Sequence, residues 1–305
     1  MATTLAPAAV AAEEDYQLQR HLVWRRFRRH RLALAGGVVF GLMILVAILA
    51  NVIAPWDPNY IDQAHWTGYP LAPGVAGHLL GSDENGRDLL SRLIFGARIS
   101  LTVAIFAVAM EISLGTVLGA VAGYYGGVVD FAIMRITDVV LSIPLLPLLL
   151  VLTAIVAQVS NKAALNFASI VLIIGFLTWP PVARIVRAVF LSLRERDYAE
   201  AARALGNSDG RIIFRHLLPN AVAPIIVQAT LEVANVIILE STLSFLGFGI
   251  QPPTASWGNM LANAQANMAI APWAAIFPGL CILITVLAIN YLGDGMRDAL
   301  DPNMR

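Results

Sequence analysis

Four polar side chains recur at helical spacing within an apolar run that covers residues 221–245. At about 100° per residue they cluster on one face of a helix, and they are Gln228, Glu232, Asn235 and Thr242. A carboxylate without a partner is costly at bilayer depth, so this face must line a water-filled cavity or meet another helix. The pattern therefore predicts either part of a solute pathway or a network of hydrogen bonds between helices.

Two further glutamates lie in apolar runs. Glu111 is expected to face protein or water, because lipid disfavours a charge. Glu240 lies off the polar face that contains Glu232, and we expect it to make a structural contact near the outer end of the same helix. A proton-coupled secondary transporter, with Glu111 and Glu232 as proton carriers, is therefore one hypothesis for the chain.

Patterns typical of enzyme active sites are missing from the sequence. It has no His-Glu-x-x-His, Gly-x-Ser-x-Gly or Walker A pattern. The five histidines are scattered, and the single cysteine, Cys281, lies in an apolar run, so neither a metal site nor an intrachain disulfide is indicated. We expect no catalytic, cofactor-binding or metal-binding residues. A transport cycle driven by ATP would need a separate ATPase subunit.

The composition indicates a membrane protein. Apolar residues make up 58% of the 305 residues and charged residues 13%, whereas soluble domains average about 45–50% and 25%. The formal net charge is zero, so no nucleic-acid partner is indicated. We predict an all-α protein. Its six membrane-spanning segments are expected at about residues 32–54, 100–122, 128–157, 167–191, 221–245 and 274–292.

Residues 1–31 are predicted to form a cytoplasmic segment that precedes a permease domain at residues 32–305. Six arginines lie between Arg20 and Arg31, which favours a basic helix on the membrane surface, held by acidic headgroups. The run at 32–54 exceeds the roughly 7–15 apolar residues of a cleaved signal peptide, so we interpret it as a retained span.

Small residues and prolines predict how the spans pack. Gly115, Gly119 and Gly123 recur every four residues, which allows a second helix backbone to approach closely. Pro144 and Pro147 predict a kink or break in the third span.

An amphipathic helix is predicted just before the second span. Ser82 or Asp83 can cap it, and its leucines share one face, with Arg87 and Arg92 turned away. We expect this helix to lie on the membrane surface.

A polar loop, residues 197–220, separates two apolar runs and predicts two short helices with a sharp corner. Asp197 can cap the first helix, and Glu200 can complete a capping box. Gly206 stands where the chain needs a positive φ, and Pro219 ends the second helix or begins the next segment. Helices this short are marginal alone, so the loop must dock against something.

The loop resembles the EAA loop of permease subunits in binding-protein-dependent ABC importers. The similarity rests on Glu200-Ala201-Ala202, then Gly206, then Leu218-Pro219, with His216 where the family has isoleucine. Residues 79–101 and 239–261 are similar to long signature stretches of the dipeptide/oligopeptide/nickel permeases, specifically the C-type subunit. The resemblance covers nearly all of residues 20–305 and implies a type I ABC importer permease.

In that family the EAA loop is a coupling helix that inserts into a groove on a cytoplasmic ATPase, and we call residues 197–220 the coupling loop. Alanines at 199, 201, 202 and 204 would offer a small surface for close approach. The residues that the resemblance assigns to ATPase coupling are Asp197, Tyr198, Ala199, Glu200, Ala201, Ala202, Arg203, Leu205, Gly206, Leu218 and Pro219.

The resemblance also implies the partners. They are a second permease subunit in a heterodimer, two ABC ATPase subunits that hold ATP and Mg²⁺, and an extracytoplasmic substrate-binding protein. The part beyond Gly249, with Trp257, would lie near the docking site of the binding protein. Solutes carried by such permeases include peptides, nickel chelates, glutathione and sugars. Peptide is the expectation because it is the commonest case.

Positive charges set the orientation. Six spans place both termini and the coupling loop on one side of the membrane. Of the twenty Lys and Arg residues, all but Arg87, Arg92, Arg98 and Lys162 lie on that side or at its boundary. The positive-inside rule therefore predicts a multi-pass cell-membrane protein with both termini in the cytoplasm.

Overall fold

The computed structural model describes residues 24–159 and 163–300, with the side chains of residue 159 and residues 163–166 excepted. Within these ranges the regular structure is helical apart from isolated bridges, so the predicted all-α class is confirmed. The main helices are α1 (Arg31–Ile48), α2 (Leu89–Tyr125), α3 (Gly127–Ser142), α4 (Leu145–Val159), α5 (Ala163–Leu193), α6 (Asp197–Ala204), α7 (Leu218–Phe245), α8 (Trp257–Ala264) and α9 (Trp273–Leu300).

Five helical segments among the described residues are long and apolar enough to cross a bilayer, namely α1, α2, α5, α7 with the residues before it, and α9. Helices α3 and α4 meet the same test together but are bent by 85° at the break between them, which makes six spans if the pair counts as one. The break lies at Ile143 and Pro144, whereas Pro147 falls in the first turn of α4, where a missing N–H is tolerated.

The beginning of the chain is described only from residue 24. Residues 24–29 are helical, and the rings of Trp24 and Phe27 stack with centroids 6.1 Å apart. His30 then caps α1, because its Nδ1 accepts a hydrogen bond from the Ala33 N–H at 3.0 Å. The rest of the predicted basic segment, residues 1–23, lies outside the described residues.

The predicted surface helix before the second span is not a separate element. Asp88 caps α2 by accepting from the Ser91 N–H at 2.7 Å, and the helix then runs without interruption for 37 residues. Arg87 and Arg92 are buried rather than turned away, each with Asp83 as an ionic partner. The prediction was wrong because Arg92 donates to the carbonyls of Pro58 and Pro253, at 3.1 and 3.5 Å, so segments before α2 and before α8 cover this part of the helix.

Residues 55–88, the segment between α1 and α2, are held by buried charge. The ring of His78 is fully buried between two carboxylates, with Nδ1 2.8 Å from Asp88 and Nε2 3.4 Å from Asp62. Burial acts to raise the pKa of Asp62. Hydrogen bonds from His65 and His78 outweigh burial and hold that pKa below its ordinary value. A carboxylate with a depressed pKa stabilises the fold above its unfolded pKa, and the contribution is lost as pH falls through the folded value.

Helices α2 and α5 approach each other closely along the three predicted glycines. A Cβ added at Gly119 would lie 2.5 Å from the Ala183 carbonyl oxygen. At Gly115 it would lie 2.6 Å from Val182, and at Gly123 2.6 Å from Phe190. Without side chains at these points the two backbones come into direct contact, as in other small-residue helix interfaces in membranes.

Substitution of the central glycine should separate these helices. We expect Gly119→Leu to lower the melting temperature of the purified protein, since overpacking costs about 1–3 kcal/mol. The control is Gly41→Leu in α1, where a Cβ would meet no atom within 4 Å. Equal melting temperatures for the two variants in the same detergent would contradict the close α2–α5 contact.

Candidate site for coupling and translocation

The N-cap of α6, the first helix of the coupling loop, lies one residue earlier than predicted. Arg196 has extended backbone (φ −83°, ψ 147°) and is the N-cap, and it makes no side-chain capping bond. Asp197 and Glu200 lie inside the first turn, so the predicted capping box is wrong. Both carboxylates still lie at the positive end of the helix dipole, where an acidic side chain is favourable.

The end of α6 follows the prediction at Gly206, which has φ +75°. Two bonds close the turn: the Gly206 N–H donates to the Arg203 carbonyl at 2.9 Å, and the Asn207 N–H donates to the Ala202 carbonyl at 3.2 Å. This is the Schellman arrangement, and it needs a residue that tolerates a left-handed backbone at Gly206. The chain reverses sharply at this point.

One face of α6 is buried within the chain itself. Ala199 and Ala202 are 0% and 4% exposed and pack in a cluster that includes Phe190 of α5 and Ile212 and Leu217 beyond the corner. Only two of the four alanines, at 201 and 204, remain exposed. The predicted alanine surface is therefore divided, because α6 needs its small residues to dock on its own bundle.

The opposite face of the coupling loop exposes larger apolar side chains. Tyr198, Ala201 and Leu205 lie three and four residues apart on α6 and are all exposed. Leu205 is 82% exposed and Phe214, beyond the corner, 66%. Phe214 was not among the residues that the sequence assigned to coupling. Exposed apolar side chains grouped on a polar loop are typical of a protein interaction surface.

The second limb of the loop is not a separate helix. It starts at Asp209, passes through a π-helical stretch, Ile212–Leu217, and continues directly into α7. Pro219 lies in the first turn of α7. Of the two predicted roles it therefore begins the next segment and does not end a helix. The Leu218 N–H donates to the Ile213 carbonyl, five residues back, which places the wide turn next to the residue that has no N–H.

Arginine side chains connect α6 to the adjacent ends of the neighbouring helices. Arg194 donates to the Gly123 carbonyl at 3.2 Å, and Arg203 donates from α6 to the Arg194 carbonyl at 2.7 Å. Arg187 of α5 also pairs with Asp130 of α3. These bonds connect α2, α3, α5 and α6 at one end of the bundle.

Two polar side chains of α7 donate hydrogen bonds to one carboxylate, that of Glu232. Gln228 donates to Glu232 at 2.6 Å, and Asn235 donates to the other carboxylate oxygen at 3.1 Å. Thr242 is not part of this group, since its hydroxyl bonds to the Ile238 carbonyl of its own helix at 2.7 Å. Glu232 and its partners remain partly accessible rather than buried.

Glu111 of α2 is a buried carboxyl that interacts with Glu232 by charge. It is 1% exposed and also interacts with Thr178 of α5. Its Oε2 is buried without a hydrogen-bond partner among the described residues. The sequence expectation that Glu111 faces protein rather than lipid therefore fits the geometry.

Glu240 makes the structural contact expected of it. The side chain is fully buried and accepts from Ser100 of α2 at 3.0 Å and from Ser244 at 2.7 Å. The Ser100 hydroxyl in turn accepts from the Trp257 N–H at 3.3 Å, so Glu240 connects α2, α7 and the beginning of α8. The Trp257 indole donates to the Leu93 carbonyl at 3.1 Å.

A cavity of about 490 Å³ opens at the end of the described bundle where α7 ends. It lies between the end of α4, the beginning of α5 and the turn after α7. Both polar and apolar residues line the cavity, and the polar ones include Thr153, Gln158 and Gln251.

Comparison with known proteins gives two family matches. Residues 115–305 match the model of the binding-protein-dependent transport system inner membrane component, and residues 19–73 match the N-terminal transmembrane domain of oligopeptide transport permease C. The chain is 41% identical over 302 residues to the glutathione transport system permease protein GsiD of Pectobacterium atrosepticum, covering 99% of this chain and 97% of the relative. It is 43% identical over 286 residues to the protein of that name from Escherichia coli O6:K15:H31, covering 93% and 91%.

Substitution at the corner should loosen the coupling loop locally. We expect Gly206→Val to speed amide exchange at the end of α6 roughly five- to thirty-fold, because a left-handed backbone costs about 1–2 kcal/mol for a residue with a side chain. Gly210→Val is the control, since Gly210 has equally open surroundings and no positive φ. Hydrogen exchange read by mass spectrometry on the purified protein tests this, and equal rates in both variants would contradict it.

Proposed function

This chain belongs to the family of inner membrane components of binding-protein-dependent transport systems, and from that premise we propose that it forms half of the pathway by which an ABC importer carries short peptides. It is a multi-pass permease subunit of the type I architecture. The second half of the pathway is contributed by another permease subunit, in a heterodimer. A substrate-binding protein outside the membrane delivers the solute.

Peptides of two or three residues are the proposed solute class. Glutathione, a tripeptide, is the solute named for the two relatives, and oligopeptide is the solute named for the matched N-terminal domain. Near-complete coverage of both the chain and its relatives supports the transfer of this class.

The coupling loop is proposed to receive the force of ATP hydrolysis. Its exposed apolar side chains, Tyr198 and Leu205 before the corner and Phe214 beyond it, are proposed to bind a groove on an ATPase subunit. Two such subunits hold ATP and Mg²⁺, and this chain supplies no nucleotide site. The buried face of α6, with Ala199 and Ala202, carries the load to its own bundle.

The connection from this loop to the spans is direct. Beyond the corner the chain continues as helix from Asp209 to Phe245, so movement of α6 acts on the helix that carries Glu232. Closure of the ATPases would tilt α7 and the α2–α5 pair together, and the assembly would change from inward-open to outward-open.

The polar face of α7 is proposed to line the pathway. Gln228, Glu232 and Asn235 are partly accessible in the single subunit, as a face that meets the second permease across a water-filled pathway would be. Thr242 belongs to the same proposal by position only. The cytoplasmic side is assigned to the termini and the coupling loop by the positive-inside rule, and the segment around α8 is assigned to the outer side, where the binding protein docks.

The exposed leucine of α6 provides a test of ATPase docking. We expect Leu205→Ser to reduce the ATPase that copurifies with this chain about ten-fold or more, since burying a leucine contributes about 1.5–3 kcal/mol. Leu246→Ser is the control, because Leu246 is also exposed but follows the opposite end of α7. Unchanged ATPase recovery with Leu205→Ser would remove the coupling loop from the docking surface.

The corner glycine provides a test of force transfer. We expect Gly206→Val to abolish uptake while membrane insertion stays intact, because the helix must reverse at a positive φ. Gly210→Val should retain uptake. Normal transport by Gly206→Val would count against the coupling loop as a lever.

The solute and the energy source are tested together by uptake into cells. We expect labelled glutathione or a labelled dipeptide to enter cells that express the chain with its neighbouring transport genes, and we expect depletion of ATP to stop entry. Uptake that survives ATP depletion and stops when the proton gradient is dissipated would favour the proton-coupled alternative. Competition by unlabelled dipeptides, sugars and nickel chelates identifies the class.

A further inference from the structure

The inner end of α2 contacts the coupling loop through a tyrosine that the sequence did not assign to coupling. The Tyr124 hydroxyl donates to the Asp209 carboxylate at 2.7 Å, across 85 residues of sequence. Asp209 is the first residue of the helical limb that leads into α7. Tyr124 therefore connects the last turn of α2 to the far side of the corner.

Tyr124 also lies near the other limb of the corner. Arg203, in the last turn of α6, is close enough to interact with Tyr124 by charge. Arg203 donates to the Arg194 carbonyl, and Arg194 donates to the Gly123 carbonyl beside Tyr124. Tyr124 thus hydrogen-bonds directly to the limb beyond the corner and lies next to the bonded arginines of the limb before it.

The ring of Tyr124 is fixed independently of its hydroxyl. It is half-buried and packs against the cluster that contains Ala199, Ala202 and Phe190, and it meets the ring of Tyr125 edge-on at 5.1 Å. A ring held in this way keeps the hydroxyl in place when the loop is loaded. The two limbs diverge at Gly206, where a Cβ would meet no atom within 4 Å, and they meet again where Ala199 and Ala202 share a cluster with Ile212. The Tyr124 hydroxyl adds a directional bond to that packing.

We propose that Tyr124 is a positioning residue for coupling, whose hydroxyl, hydrogen-bonded to Asp209, holds the angle between α6 and the limb that continues into α7. This inference rests on the proposed function. In its absence α6 would still dock on the ATPase through Leu205, but its movement would be absorbed at the corner rather than passed to α7. The structure therefore separates docking from transmission.

The test is the amount of solute imported per ATP hydrolysed by the whole assembly, purified through this chain and reconstituted in liposomes with its binding protein and labelled glutathione or dipeptide. We expect Tyr124→Phe to lower that ratio roughly two- to five-fold, the scale of one partly exposed hydrogen bond, while copurified ATPase stays at the wild-type level. Tyr125→Phe, which removes a hydroxyl from the neighbouring ring that is 52% exposed, is the matched control and should leave the ratio unchanged.

Two further variants separate positioning from general damage. Asp209→Asn keeps an oxygen acceptor and should retain the ratio. Asp209→Ala should lower the ratio as far as Tyr124→Phe does. Combining Tyr124→Phe with Asp209→Ala should cause no further loss. A ratio that is unchanged in Tyr124→Phe, or fully additive losses in the double variant, would overturn the inference. Wild-type import that needs no ATP would instead contradict the proposed function, and the inference would fall with it.

Discussion

The coupling loop depends on the burial of two alanine side chains. An eight-residue helix is marginal in water, and α6 has no side-chain cap to compensate. Ala199 and Ala202 let it approach α5 and the second limb closely enough to exclude water. The larger apolar side chains are thereby left on the outward face. The same geometry that stabilises the loop therefore creates the surface that we propose binds an ATPase.

A second constraint acts at the other end of the bundle. Glu240 is a fully buried carboxylate whose hydrogen bonds to hydroxyl groups join α2 and α7, with α8 held through Ser100. Buried polar groups are tolerated when their hydrogen bonds are made. Glu111 differs, because one of its oxygens has no partner among the described residues. The first carboxylate holds helices together, whereas the second lies beside the proposed pathway.

Features set by local chemistry were predictable from the sequence. Composition indicated the bilayer, the prolines indicated the break before α4, and Gly206 indicated the positive φ. Features set by contacts across the chain were not. The capping box at Asp197 was plausible by spacing, but the extended backbone at Arg196 moved the cap by one residue.

The surface helix predicted before the second span was wrong for the same reason, since contacts across the chain decide its surroundings. An amphipathic pattern does not say whether its polar face meets water or buried charge, and here Arg92 meets Asp83. The role proposed for Tyr124 left no local signal beyond its place in the last turn of α2, because its partner Asp209 is 85 residues away. The inward face of α6 was likewise invisible, since alanine fits a buried contact and an exposed one equally well.

The anchoring of α7 by Glu240 has a geometric consequence. A helix pinned near one end and pushed at the other pivots, and displacements along it scale with distance from the pivot. At 1.5 Å per residue, Asp209 lies about 46 Å from Glu240 and Glu232 about 12 Å. A given sideways step at the inner end would thus reach Glu232 reduced about four-fold. If the coupling loop acts as proposed, a large movement at Asp209 would become a small adjustment at Glu232.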